Sequence, residues 1–273
     1  MPELPELEVL RRQAQKELVG RTITGVTVNQ PKAINLPVDD YTKRTEGQTI
    51  CAVERKGKYL ALILDGGDAL VVHLALGGAL VLMDTAEHDP PHTPFVFALN
   101  DGRYLHAVNW QLGNISIYET SFLRAPDGPF GQLGPDAWDE ISSADELRDA
   151  IGGSSAGIKA RLMNQAVISG IGNAWSDEIL FHGRLHPMTK TSALSDKDFD
   201  AIYRAIRDII GAAIKAGGEG FTDLHGERGT AEESFAVHGR EGEDCPGDCG
   251  GNVEAMKVAG RTGYLCPSCQ KKR

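Results

Sequence analysis

Met1-Pro2-Glu3-Leu4-Pro5-Glu6-Leu7-Glu8 opens the chain. Two prolines so close to a start pre-form the first turn of a helix, where proline is tolerated. From Glu6 to Leu18 the residues Leu7, Leu10, Ala14 and Leu18 fall on one helical face, and Gly20 is the stop. A second property of this stretch is chemical. A small second residue favours removal of the initiator Met, which leaves Pro2 with a free secondary amine. An α-amino group titrates near ~7.7–8.0, so a useful fraction is unprotonated at neutral pH. Such an amine can attack a sugar or carbonyl carbon and hold it as an iminium. Glu3 beside it is a candidate proton shuttle. A retained Met1 would abolish that chemistry, and Pro2 and Pro5 would then serve the helix alone.

Outward from the helix, the texture becomes strand-rich. Short β-prone runs at Thr22–Val28, Ile50–Glu54, Tyr59–Leu64, Ala69–Leu74, Ala79–Met83, Phe95–Leu99, Tyr104–Val108 and Ile115–Tyr118 lie between turns. Asp65-Gly66-Gly67-Asp68 and Asn100-Asp101-Gly102 are hairpin turns. Strands so spaced predict a sandwich or barrel. Between Arg124 and Trp138 glycine and proline accumulate as in a linker. Beyond it Ser143-Ala144-Asp145-Glu146 reads as a capping box, and helices are expected at about 155–165, 173–183 and 196–216. The last has Ser195 as its cap, Phe199, Ile202, Ile206, Ile209 and Ala213 facing inward, and Gly217-Gly218 as its end. The fold class is therefore α+β in two domains. An N-terminal β-sandwich with a leading helix spans 1–123 and a linker 124–141. A helical domain spans 142–235 and a cysteine-bearing hairpin 236–273.

At 273 residues, 41% hydrophobic and 24% charged, the chain is an ordinary globular one with room for two cores. It holds no long apolar run and no signal peptide, which places it in the cytoplasm as an expectation and argues against a membrane partner. The net charge of −10 excludes a protein coated in basic surface, so any nucleic-acid contact must rest on a local patch. Four of the five cysteines, Cys245, Cys249, Cys266 and Cys269, form two close pairs around a glycine-containing hairpin. That is the pattern of a structural zinc site, one ion per chain. Lys257, Arg261, Lys271, Lys272 and Arg273 supply basic charge around it. Gly170-Ile171-Gly172-Asn173, between two helices, can serve as a tight connection. It can also present a helix N-terminus and an Asn side chain to a phosphate.

Taken in order, these pieces resemble the formamidopyrimidine-DNA glycosylase and endonuclease VIII family, over nearly the full length. The shared motifs run from Pro2-Glu3-Leu4-Pro5-Glu6 through Lys56-Gly57-Lys58-Tyr59-Leu60, Leu133-Gly134-Pro135-Asp136 and Gly157-Ile158-Lys159. They continue through Gly170-Ile171-Gly172-Asn173 and Gly260-Arg261 to Cys266-Pro267-Ser268-Cys269-Gln270. The resemblance implies a monomeric base-excision repair enzyme acting on damaged DNA and associated with the nucleoid when bound. In it Pro2 attacks C1′ of a flipped nucleotide and Glu3 protonates the opening sugar and serves the strand-cutting β,δ-eliminations. Lys58 binds phosphate beside the lesion. Asn173 and Arg261 hold the backbone, Lys159 is grouped with them as a DNA contact, and Leu76 is the wedge that replaces the extruded nucleotide.

The departures are specific. Where the purine-specific branch has Asp-Pro-Arg-Arg-Phe-Gly, this chain has Asn109-Trp110-Gln111-Leu112-Gly113, with Trp110 either a base-stacking ring or a loop anchor. The segment from Glu219 to Ser234 is short and acidic, and family tyrosines are replaced by Trp175 and His238. These argue against a strong preference for 8-oxoguanine opposite cytosine. Oxidised pyrimidines, ring-opened purines, abasic sites and single-stranded or crosslinked substrates stay open. A catalytically silent DNA-binding paralogue is the alternative function. Retention of Pro2, Glu3 and Lys58 favours the enzyme, since binding alone has no use for an amine–carboxylate pair.

Overall fold

The structure is a computed structural model describing residues 1–89, 92–110 and 112–272. Gln111 and Arg273, both named above, lie outside the described residues. The chain forms two compact units, residues 1–132 with 216–230 and residues 133–215 with 231–273.

The first unit leads with α1 (Leu4–Glu17), two residues earlier than the apolar periodicity predicts. The reason is a reciprocal cap. Glu3 stands at the N-cap, and its own backbone N–H donates to the Glu6 carboxylate at 2.7 Å. Eight strands follow: β1 (Ile23–Val28), β2 (Ile50–Lys56), β3 (Tyr59–Leu64), β4 (Asp68–His73), β5 (Ala79–Met83), β6 (Phe95–Leu99), β7 (Tyr104–Val108) and β8 (Asn114–Glu119). All the expected runs are strands. They pair antiparallel in two four-stranded sheets, β1-β6-β7-β5 and β2-β3-β4-β8. Period-2 alternation puts Leu60, Leu62 and Leu64 of β3 in one core with Phe95, Phe97 and Leu105 of the other sheet and with Leu7 and Leu10 of α1. The opposite face of β3 and β4, carrying Ala61, Ala69 and Val71, is covered by Leu123 and Phe130.

A helix that periodicity does not predict, α2 (Val38–Thr45), sits between β1 and β2. Only Tyr41 and Thr45 of it are buried, so it has no apolar stripe to read. Its ends instead follow helix polarity, with Asp39 and Asp40 in the first turn and Lys43 and Arg44 in the last. Residues 216–230 join this unit because Phe221 and Leu224 enter the sandwich core and the Leu82 N–H donates to the Leu224 carbonyl at 2.8 Å.

The second unit contains α3 (Ala144–Ile151), α4 (Ile158–Leu162), α5 (Asn173–His182), α6 (Asp196–Ala205) and α7 (Gly211–Lys215), then the hairpin of β9 (Glu254–Val258) and β10 (Arg261–Leu265). Ser143 accepts the Glu146 N–H as expected, but the Glu146 carboxylate turns to Ser142, so the box is half-made. The helix expected over 196–216 contains a π-helical turn at Ile206–Ile210 between α6 and α7. One extra residue in that turn rotates the inward face, so Ile210 is fully buried where Ile209 was expected. The widened turn lies against Trp138, whose ring stacks under the Arg207 guanidinium at 3.8 Å and whose carbonyl accepts from Arg207 at 2.6 Å.

Candidate active site and metal centre

In the first unit the start of the chain is packed inside. Pro2 is buried, Glu3 is 3% exposed and Lys58 8%. Lys58 stands in the two-residue turn between β2 and β3, reached through Gly57 at φ +56°, a left-handed conformation that suits glycine. The Lys58 ammonium lies 3.9 Å from one Glu3 oxygen. The other Glu3 oxygen, Oε2, is buried with no hydrogen-bond partner. A buried carboxylate oxygen without a partner is unusual in a folded protein.

Two further carboxylates hold this arrangement. Glu6 takes the Glu3 N–H on one oxygen and, on the other, the Glu219 N–H at 2.8 Å. Burial pushes its carboxyl up to about 7, against the pull of those N–H donors. Glu8 is also buried, but the guanidinium groups of Arg11, Arg12 and Arg55 outweigh its desolvation and bring it down to about 2. Arg55, itself fully buried, then donates to the Gly57 carbonyl at 3.0 Å and fixes the turn that presents Lys58.

The Glu6 shift has a sign that can be measured. Its folded pKa is raised above the ordinary value, so the unfolded chain gives up this proton first. The associated stability is complete below pH 4.5 and is lost as pH rises to about 7. Over that window the wild type should lose about 3 kcal/mol relative to Glu6→Gln. Urea unfolding of both proteins at pH 5 and pH 8 checks it, and equal pH responses would contradict it.

A cleft of about 150 Å³ adjoins the chain start, lined by Met1 and Pro2, by 77–79, by Asn109 and by 219–222. Two loops form its rim. One, 74–78, leaves β4 after His73 and enters β5 at Ala79; of the other, residues 109–110 follow Val108 of β7 and residues 112–113 lead into β8 at Asn114. Since His73 pairs with Asn114 and Ala79 with Val108, the two loops lie side by side. Leu76 projects from the first and is 53% exposed; Leu112 of the second is 68% exposed. Trp110 is a loop anchor rather than a free stacking ring. It is 3% exposed and packs edge-on to Phe95, with Gly78 and Gly113 against it leaving no room for a Cβ.

The second unit brings Asn173, the tip of the β9–β10 hairpin and the cysteines together. Gly170 at φ +103° turns the chain into α5, and Asn173 is its first residue. The Asn173 amide donates to the Thr262 carbonyl at 2.8 Å, while its Oδ1 is buried without a partner. Arg261, next to Thr262, is exposed after the tight turn at Ala259 and Gly260. Lys159 behaves differently from the expected DNA contact. It is fully buried, with its ammonium on the Asn173 carbonyl, Ser176 and Asp177 at 3.0, 3.0 and 2.5 Å. Asp177 also accepts from His238 at 2.8 Å, and Glu178 takes the three successive N–H groups of Ala236, Val237 and His238. Helix α5 is thereby fastened to the segment that leads into the hairpin.

The four cysteine sulfurs lie within 4.8 Å of one another, with Cys245–Cys269 at 3.7 Å and Cys249–Cys266 at 3.5 Å. A tetrahedron with metal–sulfur bonds of ~2.3 Å has sulfur–sulfur edges of ~3.8 Å, so the donor set fits a four-coordinate ion. Burial pushes Cys245 up to about 12, whereas the Gly251 N–H helps bring Cys249 down to about 7. A bound cation would take the place of the thiol protons and favour all four sulfurs as thiolates.

Two family models match. Residues 1–111 fit the formamidopyrimidine-DNA glycosylase N-terminal domain and residues 133–224 the formamidopyrimidine-DNA glycosylase H2TH domain. The formamidopyrimidine-DNA glycosylase of Pelotomaculum thermopropionicum is 37% identical over 278 residues, 99% of each chain. The chain belongs to the formamidopyrimidine-DNA glycosylase family. The family's protein from Heliobacterium modesticaldum is 36% identical over 99% of this chain and 100% of its own. A solved structure of Lactococcus lactis Fpg in complex with an abasic site containing DNA superimposes with TM-score 0.89 and 28% identity, over 99% of this chain and 100% of that one. A mutant of the same protein bound to Fapy-dG containing DNA gives the same score.

In this family member, Glu6, Glu8 and Arg55 carry little signal in the sequence for their part in the site. One signal was present: Glu6 lies three residues after Glu3, the spacing at which a side chain returns to cap the helix start. Arg55 carries no such signal, since its partner Glu8 is 47 residues away.

Proposed function

We propose that this glycosylase-family protein excises a damaged base and then cuts the DNA strand, with Pro2 as nucleophile once Met1 is removed. The observation that carries the reading is the buried trio of Pro2, Glu3 and Lys58 beside a cleft, with one Glu3 oxygen unpartnered. The Pro2 nitrogen bonds to C1′ of the flipped nucleotide, and the base leaves as it gains a proton. Glu3 protonates the ring oxygen, which opens the sugar to an iminium on Pro2. Loss of the C2′ proton then expels the 3′ phosphate, a second elimination expels the 5′ phosphate, and water releases the sugar fragment.

Lys58, Asn173 and Arg261 bind phosphates in this reading, and Leu76 fills the stack vacated by the flipped nucleotide. Lys159 is a positioning residue, since it holds the Asn173 carbonyl and Asp177 and has no access to solvent. Cys245, Cys249, Cys266 and Cys269 would hold one structural zinc ion, whose chemistry is to keep the hairpin folded. The protein acts as a monomer in the cytoplasm, on nucleoid DNA. No helix among the described residues is long and apolar enough to cross a membrane. The buried Trp110 and the apolar Leu112 leave the lesion class broad, from ring-opened purines to oxidised pyrimidines and abasic sites. A lesion panel scored for strand cleavage is the direct test. A silent paralogue would bind these duplexes and cut none.

Phosphate contacts release counterions, so affinity for an abasic duplex should fall linearly in log–log terms with added salt. Arg261→Ala should reduce that slope by about 1 and weaken all sequences alike. Fluorescence anisotropy between low and moderate salt measures it; a flat wild-type response would contradict the phosphate assignments.

A further inference from the structure

The outer face of the β2-β3-β4-β8 sheet carries a second cavity, about 290 Å³ in volume, separate from the Pro2 cleft. Asn114, Ser116 and Tyr118 alternate along β8 and point into it, with Tyr59 from β3 and Val71 from β4 beside them. Segment 120–132 forms the other wall, through Phe122, Asp127 and Pro129. It closes over the sheet elsewhere, where Leu123 and Phe130 cover Ala61 and Ala69, but leaves this end open.

The lining is chemically specific. Its walls are flat rings: Tyr59, Tyr118 and the exposed Phe122, with Tyr118 and Phe122 5.8 Å apart. Its polar groups are unspent. The side chains of Tyr59, Asn114, Ser116 and Tyr118 make no hydrogen bond among the described residues, although Ser116 is more than nine-tenths buried. Burial, with Tyr118 nearby, raises the Tyr59 phenol, so it remains a donor at neutral pH. No Lys or Arg lines the cavity, and Asp127 is its one charged side chain. A phosphate or carboxylate ligand is thereby disfavoured, and a greasy chain would strand the polar groups. A flat, neutral ring with N–H donors satisfies every wall. Guanine is the best match, because its N1–H and 2-amino group form two adjacent donors for the two oxygens of one carboxylate.

Position supports the same ligand. Asn114 pairs with His73, and Tyr59 stacks on His73 at 4.8 Å, so the cavity opens at the roots of the loops that carry Leu76 and Leu112. We propose that this cavity is a second nucleobase site, taking an unpaired guanine stacked on the exposed Phe122 ring, which Tyr118 backs, with its amino edge on Asp127. The proposal stands apart from the excision chemistry, since nucleoside binding can be measured on protein that cuts nothing.

The test is a titration of the full-length protein with guanosine, followed by ¹⁵N chemical shifts. Guanosine should move the resonances of β8 and of segment 120–132, with inosine, which lacks the 2-amino group, at least about fivefold weaker. Phe122→Ala and Ser116→Ala, neither near Pro2, should each weaken guanosine about fivefold or more while leaving abasic-site cleavage unchanged. A single-stranded thymine oligonucleotide with one guanine separates the sources. If it displaces guanosine, the occupant is a base within DNA; if it does not, the occupant is a free base or nucleoside. No saturable guanosine binding, binding indifferent to both variants, or equal binding of methyl glucoside would overturn the proposal.

Discussion

Borohydride added to the Met1-free protein on abasic-site DNA should trap a covalent protein–DNA adduct. A variant with one extra residue ahead of Pro2 should lose that trapping by four orders of magnitude or so. The extension turns the Pro2 nitrogen into a tertiary amide, whose lone pair is delocalised and which cannot form an iminium. What disappears is a positioned nucleophile, and positioned groups in well-oriented sites are worth effective molarities on the order of 10⁵ M or more. The fold should survive, because Met1 is exposed and the helix cap uses Glu3 and Glu6 rather than the terminal amine. Glu3→Gln gives a different profile, keeping the amine and removing the proton donor. Trapping of the extended variant at wild-type rate would place the nucleophile elsewhere, with Lys58 the first candidate.

Cys249→Ser should abolish metal binding and, with it, about a hundredfold in affinity for damaged duplex. The β9–β10 hairpin has little core of its own. Its apolar cluster consists of Val253, Cys245 and Cys266 with Phe181, Ala236 and Val237, so two members are metal-ligand candidates. Without the ion, nothing but weak sulfur contacts holds together the four cysteines, whose sulfurs lie within 4.8 Å of one another. Arg261 and the Thr262 carbonyl then lose their fixed places, and Asn173 loses the partner of its amide. Metal analysis should return one zinc per wild-type chain and none for the variant, and amide exchange in β9 and β10 should become fast. Wild-type protein free of metal yet binding DNA at full strength would remove the zinc assignment.

How far the sequence discloses this molecule depends on whether a feature is local. The strands of the sandwich are legible because each is a short β-prone run with a turn at its end, as with Tyr59–Leu64 before Gly66 and Gly67. The cysteine set was legible because ligand spacing is a local constraint. Helix α2 was not, since it packs by two residues only. Nor was the π turn at Ile206–Ile210, which moves burial from Ile209 to Ile210 and answers to Trp138, far away in sequence. Residues 216–230 follow the helices but complete the sandwich, a pairing settled by Phe221 and Leu224 in a distant core.

The candidate site divides in the same way. Pro2, Glu3 and Lys58 were named from motif order, and the structure brings them together. Lys159 carries the same kind of motif evidence but lies fully buried on Asp177, because its role is set by partners at positions 173, 176 and 177. Charge type alone does not separate a lysine that meets phosphate from one that neutralises a buried carboxylate. Glu6 and Arg55 are hard to read for the converse reason, since they act on the backbone around the site rather than on a ligand.

The most direct test is peptide mapping of the borohydride-trapped adduct by mass spectrometry. The account predicts an N-terminal peptide that begins at Pro2, lacks Met1, and carries the sugar fragment on the proline nitrogen. Active protein that retains Met1, or an adduct carried on Lys58 instead, would contradict it.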